Sequence, residues 1–223
     1  MSLWIKICGN TSLEDVRIAA KHGADAVGFV FAPSPRQVTV SEVAAIVKHL
    51  AAPVEKIGVF VDAPLDEVYS AVRVCGLTGV QIHSGAGPEF PAKLRQRLGS
   101  ELRILRVVHF DSRPAEQITG EIAQHSTNPH VDAVLVDSRT ATAVGGTGIA
   151  FDWVEARRTV FGDSAKFKLI AAGGLNPENV TEAISMLRPW GVDVASGVEA
   201  APGRKDAGKV RDFIARARAA EPE

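Results

Sequence analysis

Cysteine is scarce in this sequence: Cys8 and Cys75 are the only two among 223 residues. Two thiols cannot build a disulfide scaffold, and these two have no metal-ligand spacing, so they suit a reducing compartment. No His-x-His or HExxH pattern occurs either, and no metal is indicated. Net charge is also missing. The 25 Lys and Arg residues stand against 26 Asp and Glu, a formal charge of −1. That balance excludes a generally cationic surface for coating nucleic acid and leaves room only for a local anion site. No apolar run approaches the roughly 18 residues of a membrane span. The segment Met1-Ser2-Leu3-Trp4-Ile5-Lys6 lacks the basic-then-apolar order of a secretory signal. The expectation is a cytoplasmic protein without membrane or nucleic-acid partners; nothing in the sequence names a protein partner.

What is present is an alternation. Short runs rich in Val and Ile recur at 3–8, 25–30, 56–61, 79–83, 102–108, 131–137, 167–172 and 192–196. Each is followed by a helical pattern. Ser12 opens the first helix, Ser41 the second, and Asn176-Pro177-Glu178 the seventh, with Asn as N-cap and Pro at the first helical position. Further helices are expected over 64–74, 88–98, 114–124, 150–160 and 204–217. Near-continuous apolar strands alternating with helices indicate a parallel sheet covered by helices. Eight units in 223 residues, about 28 each, favour an α/β single-domain (β/α)8 TIM barrel over 1–218 with a frayed tail at 219–223. A doubly wound open sheet is the competitor, since it shows the same alternation.

A barrel carries its active site at the carboxyl ends of its strands, and the unusual residues fall there. Alternation along the first strand puts Trp4, Lys6 and Cys8 on one face and Leu3, Ile5 and Ile7 on the other, so Lys6 and Cys8 should point into the barrel. A neighbouring ammonium is expected to lower the Cys8 thiol pKa and favour the thiolate. The bland alternative is a buried, inert thiol. Cys75 reads as a packing residue at a helix end. Asp137 closes the very apolar sixth strand, where desolvation would let it hold a proton as a general acid requires; capping the next loop through Ser138 is the competing role. His83 closes the fourth strand on the same face as Gln81. Gly173-Gly174 and Ser196-Gly197, after strands seven and eight, suit backbone recognition of a phosphate. Gly145-Gly146-Thr147-Gly148, after strand six, suits a further wall or a mobile lid.

Several short motifs in fixed order carry a resemblance over essentially the whole chain. They are Lys6-Ile7-Cys8-Gly9 with Thr11, Gly28-Phe29-Val30-Phe31 with Ser34-Pro35-Arg36, Gly58-Val59-Phe60-Val61 and Val80-Gln81-Ile82-His83. Val136-Asp137, Gly145-Gly146-Thr147-Gly148 with Phe151-Asp152-Trp153, the run from Ala172 to Val180, the run from Gly191 to Glu199, and Pro202-Gly203 with Lys205-Asp206 continue the series. Together they resemble the phosphoribosylanthranilate isomerase family of tryptophan biosynthesis. The resemblance implies an Amadori rearrangement of N-(5-phosphoribosyl)anthranilate to 1-(2-carboxyphenylamino)-1-deoxyribulose 5-phosphate. It implies Asp137 as general acid, Cys8 as general base, Arg36 at the anthranilate carboxylate, and Gly173, Gly174, Ser196 and Gly197 at the phosphate. Lys6, Gln81 and His83 join Arg36 as expected substrate contacts, with no cofactor and no metal.

Some positions depart from the family's common form. The segment ending in Arg36 is one residue shorter, Ser12 stands where Arg is frequent, and His83-Ser84-Gly85 replaces a His-Gly-acidic sequence. None touches Cys8 or Asp137, so the implication is activity with altered substrate affinity. A histidine-pathway phosphoribosyl isomerase, or an isomerase accepting both substrates, is the runner-up. That family is expected to carry an Asp where Cys8 stands and two phosphate-binding halves, whereas this sequence has a clear phosphate signature only in its second half. A metal-dependent pentose-phosphate epimerase would need a His and Asp ligand set that is missing. A non-catalytic sugar-phosphate binding module is the reading from a different class.

Overall fold

The computed structural model describes residues 2–50, 53–83, 86–137, 153–162 and 167–221. The first half of the chain runs β1 (Trp4–Ile7), α1 (Leu13–Lys21), β2 (Ala26–Val30), α2 (Val40–Lys48), β3 (Glu55–Phe60), α3 (Leu65–Cys75), β4 (Gly79–Ile82) and α4 (Phe90–Leu98). The second half runs β5 (Arg103–His109), α5 (Ala115–Ser126), β6 (Ala133–Asp137), α6 (Trp153–Thr159), β7 (Leu169–Ala172), α7 (Val180–Leu187) and β8 (Gly191–Val194). A 3-10 turn (Ser196–Val198), a two-stranded ribbon of β9 (Glu199–Ala201) and β10 (Arg204–Lys205), and α8 (Ala207–Ala219) follow. The parallel strands β1 to β8 close on themselves, with Trp4 to Ile7 of β1 paired to Gly191 to Val194 of β8. Closure excludes the open sheet.

Strand parity sorts the side chains as the sequence pattern requires. Trp4, Ala26, Ile57, Leu105, Val107, Ala133, Leu135, Ile170 and Ala172 pack inside the barrel. Leu3, Ile5, Ile7, Val27, Phe29, Val192 and Val194 face the helices, where they meet Val16, Val43, Val68, Phe213 and Ile214. Residues of β1 therefore alternate between a dry outer seam and the barrel interior, and Lys6 and Cys8 belong to the interior set.

Local chemistry differs from the sequence expectation at several ends. The second helix is capped by Thr39, not Ser41: Thr39 and Glu42 form a reciprocal capping box, and the helix starts at Val40. Asn176 caps a turn rather than the helix itself, accepting from the backbone N–H of Glu178 and Asn179, and α7 starts after Asn179. Arg204 and Lys205 lie in β10, and Asp206 caps α8. The tail expected to fray from 219 is tied down as far as Glu221. Its carboxylate accepts from Leu3 N at 3.2 Å and from Arg218 Nη1 at 3.0 Å, because barrel closure lays the last helix against the first strand. The start expected for α6, at 150, lies outside the described residues.

The amino end of the barrel is plugged by aromatics. Trp4 and Trp190 stack with centroids 5.4 Å apart, and the Arg103 guanidinium lies 5.9 and 5.6 Å from their rings. Arg103 is held in turn by Glu55, with Nη2 to Oε1 at 2.8 Å. This end of a barrel stabilises rather than catalyses. Trp4→Ala is expected to cost about 3–5 kcal/mol in urea unfolding followed by circular dichroism. A loss under about 1 kcal/mol would show that the ring does not fill the plug.

Candidate active site

The carboxyl end of the barrel gathers a dense set of buried polar groups. Cys8 directly follows β1, and its N–H donates to Val194 O at 2.8 Å, so the β1–β8 ladder runs on to the thiol. Space for the sulfur comes from Gly28 on β2, where a Cβ would lie 2.7 Å from Cys8 Sγ and 3.1 Å from Lys6 Cε. Lys6 is fully buried, and its ammonium meets Asp193 Oδ1 at 2.7 Å. The two residues stand opposite each other in the β1–β8 register. Asp193 was not singled out in the sequence. Its signal was a lone carboxylate between Val192 and Val194, with the parity that points inward.

This pairing corrects the expectation for the thiol. Lys6 does pull the Cys8 pKa down, but its charge is balanced by Asp193. Burial is the largest influence and, with Asp193, pushes the thiol above its ordinary value. Lys6 itself stays charged: burial disfavours its ammonium, and the attraction of Asp193 and Cys8 outweighs that. Cys75 ends α3 as a buried packing residue whose thiol donates to Val40 O.

Across the mouth, Asp137 ends β6 as a buried carboxylate on the interior face. His109, the last residue of β5, registers opposite it. The His109 ring lies 5.8 Å from that of His83, and the Gln81 amide nitrogen is 3.1 Å from His83 Nε2. Gln81, His83, His109 and Asp137 thus follow one another around the rim from β4 to β6. The sequence reading named three of the four; His109 escaped it because it sits one residue beyond the expected end of β5.

Arg36 reaches the same end from the loop after β2. It does not stand free: Nε and Nη2 each donate to a Glu199 carboxylate oxygen at 2.7 Å. Glu199 also receives Lys205 Nζ at 3.1 Å. Burial pushes the Glu199 carboxyl up, but the hydrogen bonds and charges of Arg36 and Lys205 outweigh it and hold the pKa below the usual range. Gly173 and Gly174, after β7, take φ of 86° and 65°. Gly197 lies in the 3-10 turn after β8, where a Cβ would fall 1.9 Å from Leu175 O, so the two loops press directly together. The lid expectation, Gly145, Gly146, Thr147 and Gly148, lies outside the described residues. Among the described residues no three His, Cys, Asp or Glu side chains form a metal-binding group, and no helix is long and apolar enough to cross a membrane.

Comparison with known proteins adds independent information. Residues 5–216 match the family model described as N-(5'phosphoribosyl)anthranilate (PRA) isomerase. The chain is 42% identical to the N-(5'-phosphoribosyl)anthranilate isomerase of Pelobacter propionicus over 211 residues, covering 94% of this chain and 93% of that protein. Its counterpart from Geobacter sulfurreducens is 40% identical, covering 96% and 98%. Among solved structures, the Thermotoga maritima phosphoribosyl anthranilate isomerase superimposes with a TM-score of 0.82 at 33% identity, over 97% of this chain and 99% of that one. A phosphoribosyl anthranilate isomerase in complex with reduced 1-(o-carboxyphenylamino)-1-deoxyribulose 5-phosphate gives 0.80 at 32%, with the same coverage.

The charge arrangement around the thiol makes a prediction of definite sign. Following thiolate absorbance in a Cys75→Ala background, the Cys8 midpoint is expected above the ~8.5 of a free thiol. Asp193→Asn should lower it, by removing a negative neighbour, and Lys6→Met should raise it. A wild-type midpoint below the ordinary thiol value would overturn this account of the site.

Proposed function

The chain belongs to the N-(5'-phosphoribosyl)anthranilate isomerase family and is an isomerase of tryptophan biosynthesis, and we propose that it works by acid–base chemistry between Asp137 and Cys8. The observation that carries this reading is their shared position: two buried proton-exchanging groups on the interior face at the carboxyl ends of β6 and β1. Asp137, as the carboxylic acid, donates its proton to the ribose ring oxygen. The C1–O bond breaks, the anilino nitrogen lone pair forms an iminium at C1, and the ring oxygen leaves as the C4 hydroxyl. Cys8, as the thiolate, then takes the C2 proton, and the C2–H electron pair flows into the iminium to give an enolamine. Ketonisation moves a proton from the C2 hydroxyl to C1. Proton exchange with solvent returns Asp137 to the acid and Cys8 to the thiolate. The iminium is itself the electron sink, so the route calls for no cofactor.

The thiol environment suits this base. Buried beside Asp193, Cys8 is thiolate only in a minor fraction at neutral pH, but a thiolate of raised pKa is correspondingly more basic. The carbon acid it faces is already activated by the adjacent iminium. Lys6, expected as a substrate contact, is engaged by Asp193 with no exposed surface; its proposed part is to offset negative charge as the thiolate forms. Gln81 and His83 are proposed to line the sugar, Arg36 to bind the anthranilate carboxylate, and Gly173, Gly174, Ser196 and Gly197 to bind the phosphate through backbone N–H groups. Residues 1–218 act on this proposal as one barrel domain, and the two free, buried cysteines suit a reducing cytoplasm.

The test follows the loss of anthranilate fluorescence. Cys8→Ala and Asp137→Asn are each expected to reduce turnover by about 10²–10⁴ with circular dichroism unchanged; near-wild-type turnover in either would remove that residue from the mechanism. Arg36→Ala should raise KM more than it lowers kcat, the signature of lost ground-state binding. The opposite split would assign Arg36 to the transition state.

A further inference from the structure

We propose that Glu199 is a positioning residue for substrate recognition: it grips one edge of Arg36 and leaves the other edge turned to the substrate's ring carboxylate. The inference rests on the isomerase reading and deepens it. A guanidinium has two donor edges that can each meet a carboxylate. Glu199 takes the edge formed by Nε and Nη2, with both bonds at 2.7 Å. Nη1 and the second Nη2 hydrogen form the remaining edge. The pair is layered: the Glu199 side chain is 4% exposed and that of Arg36 is 22% exposed, so of the two Arg36 is the one open to a ligand.

Glu199 is unusually well held for this task. Lys205, opposite it in the β9–β10 ribbon, binds its Oε1 at 3.1 Å and Ala195 O at 3.1 Å. Lys209 Nζ donates to the Glu199 carbonyl at 2.9 Å, and the Lys205 N–H donates to Asp15 Oδ1 at 2.9 Å. The far side of Arg36 is set by Gly9, at φ 71°, where a Cβ would lie 2.5 Å from Arg36 Cδ. The arm therefore crosses directly over the residue next to Cys8. Glu199 divides its negative charge between Arg36 and Lys205, so it does not fully neutralise the Arg36 guanidinium. A planar anion such as an aromatic carboxylate matches both the remaining positive charge of Arg36 and the open guanidinium edge. The ribbon thus fixes the direction of Arg36, which the loop after β2 alone would leave to a flexible side chain.

The experiment measures discrimination. Affinities are compared for the reduced product analogue, 1-(o-carboxyphenylamino)-1-deoxyribitol 5-phosphate, and for the same molecule lacking the ring carboxylate. The wild type should prefer the carboxylated form by about 10–100-fold, as expected for a charged hydrogen-bonded pair. Arg36→Ala should abolish the preference, and Glu199→Gln should reduce it several-fold, chiefly through the carboxylated form. Lys205→Met, which removes a support of Glu199 and one positive charge but spares the Arg36–Glu199 fork, should lower the ratio less than Glu199→Gln does. Should Glu199→Gln not fold, the Glu199→Gln/Lys205→Met pair, which leaves no ammonium orphaned, carries the same expected loss of preference. A purely structural role for Glu199 would weaken both ligands equally, and that outcome, or a full wild-type ratio in Glu199→Gln, overturns the proposal. A wild type that binds both analogues equally overturns it as well. Turnover of the substrate by the wild type, measured alongside, tests the isomerase mechanism separately: intact turnover with unchanged discrimination in Glu199→Gln rejects only the role of Glu199.

Discussion

The buried contact between Lys6 and Asp193 organises this molecule. It spans the β1–β8 seam, the one place where the barrel must close chain beginning on chain end, and it lies directly under the thiol of Cys8. Two charges removed from water gain little net stability from each other, yet breaking such a pair costs about 3–5 kcal/mol because one charge is left uncompensated. The seam is thereby committed to one register, since a slip of one residue would turn one of the two groups into the apolar helix layer and strand the other. A catalytic end built on this seam inherits that rigidity. The thiol sits on the strand that the pair anchors, at the position where the ladder ends.

The same pair sets the electrostatic character of the mouth. Burial, with Asp193, outweighs the pull of Lys6 and Lys205 on Cys8, so its thiol stands above the ordinary value. In the proposed binding mode the neighbouring Arg36–Glu199–Lys205 cluster meets the substrate's ring carboxylate through Arg36. The two groups are coupled: Lys205 favours the Cys8 thiolate, and the thiolate in turn favours charged Arg36 and Lys205. In the proposed mechanism Glu199 and Arg36 deal with a carboxylate that does not change during the reaction, while Cys8 and Asp137 deal with protons that move.

Much of this was legible in the sequence because it depends on strand parity. The alternation Trp4, Lys6, Cys8 against Leu3, Ile5, Ile7 placed the interior residues correctly, and Asp137 at the end of an apolar strand marked the rim. What parity cannot supply is the partner. Asp193 lies 187 residues from Lys6, and only barrel closure brings them together, so the sign of the thiol shift was misjudged from Lys6 alone. Glu199 and Lys205 escaped for a related reason: a helical pattern was assigned from Arg204, whereas that stretch forms a ribbon that turns both side chains onto one cluster. Thr39 displaced Ser41 as a cap because its reciprocal bond with Glu42 satisfies two orphan N–H groups, where Ser41 lacks a matching Glu or Gln three residues on.

In the proposed binding mode one substrate lies across the mouth with its reacting carbon at Cys8, its ring oxygen at Asp137 and its carboxylate at Arg36. A crystal structure of this protein with the reduced product analogue tests it most directly. In that complex C2 is expected within about 3.5–4 Å of Cys8 Sγ, the former ring oxygen hydrogen-bonded to Asp137, and the carboxylate on the open edge of Arg36 while Glu199 keeps its fork. An analogue bound with C2 facing away from Cys8, or with its phosphate rather than its carboxylate at Arg36, would contradict it.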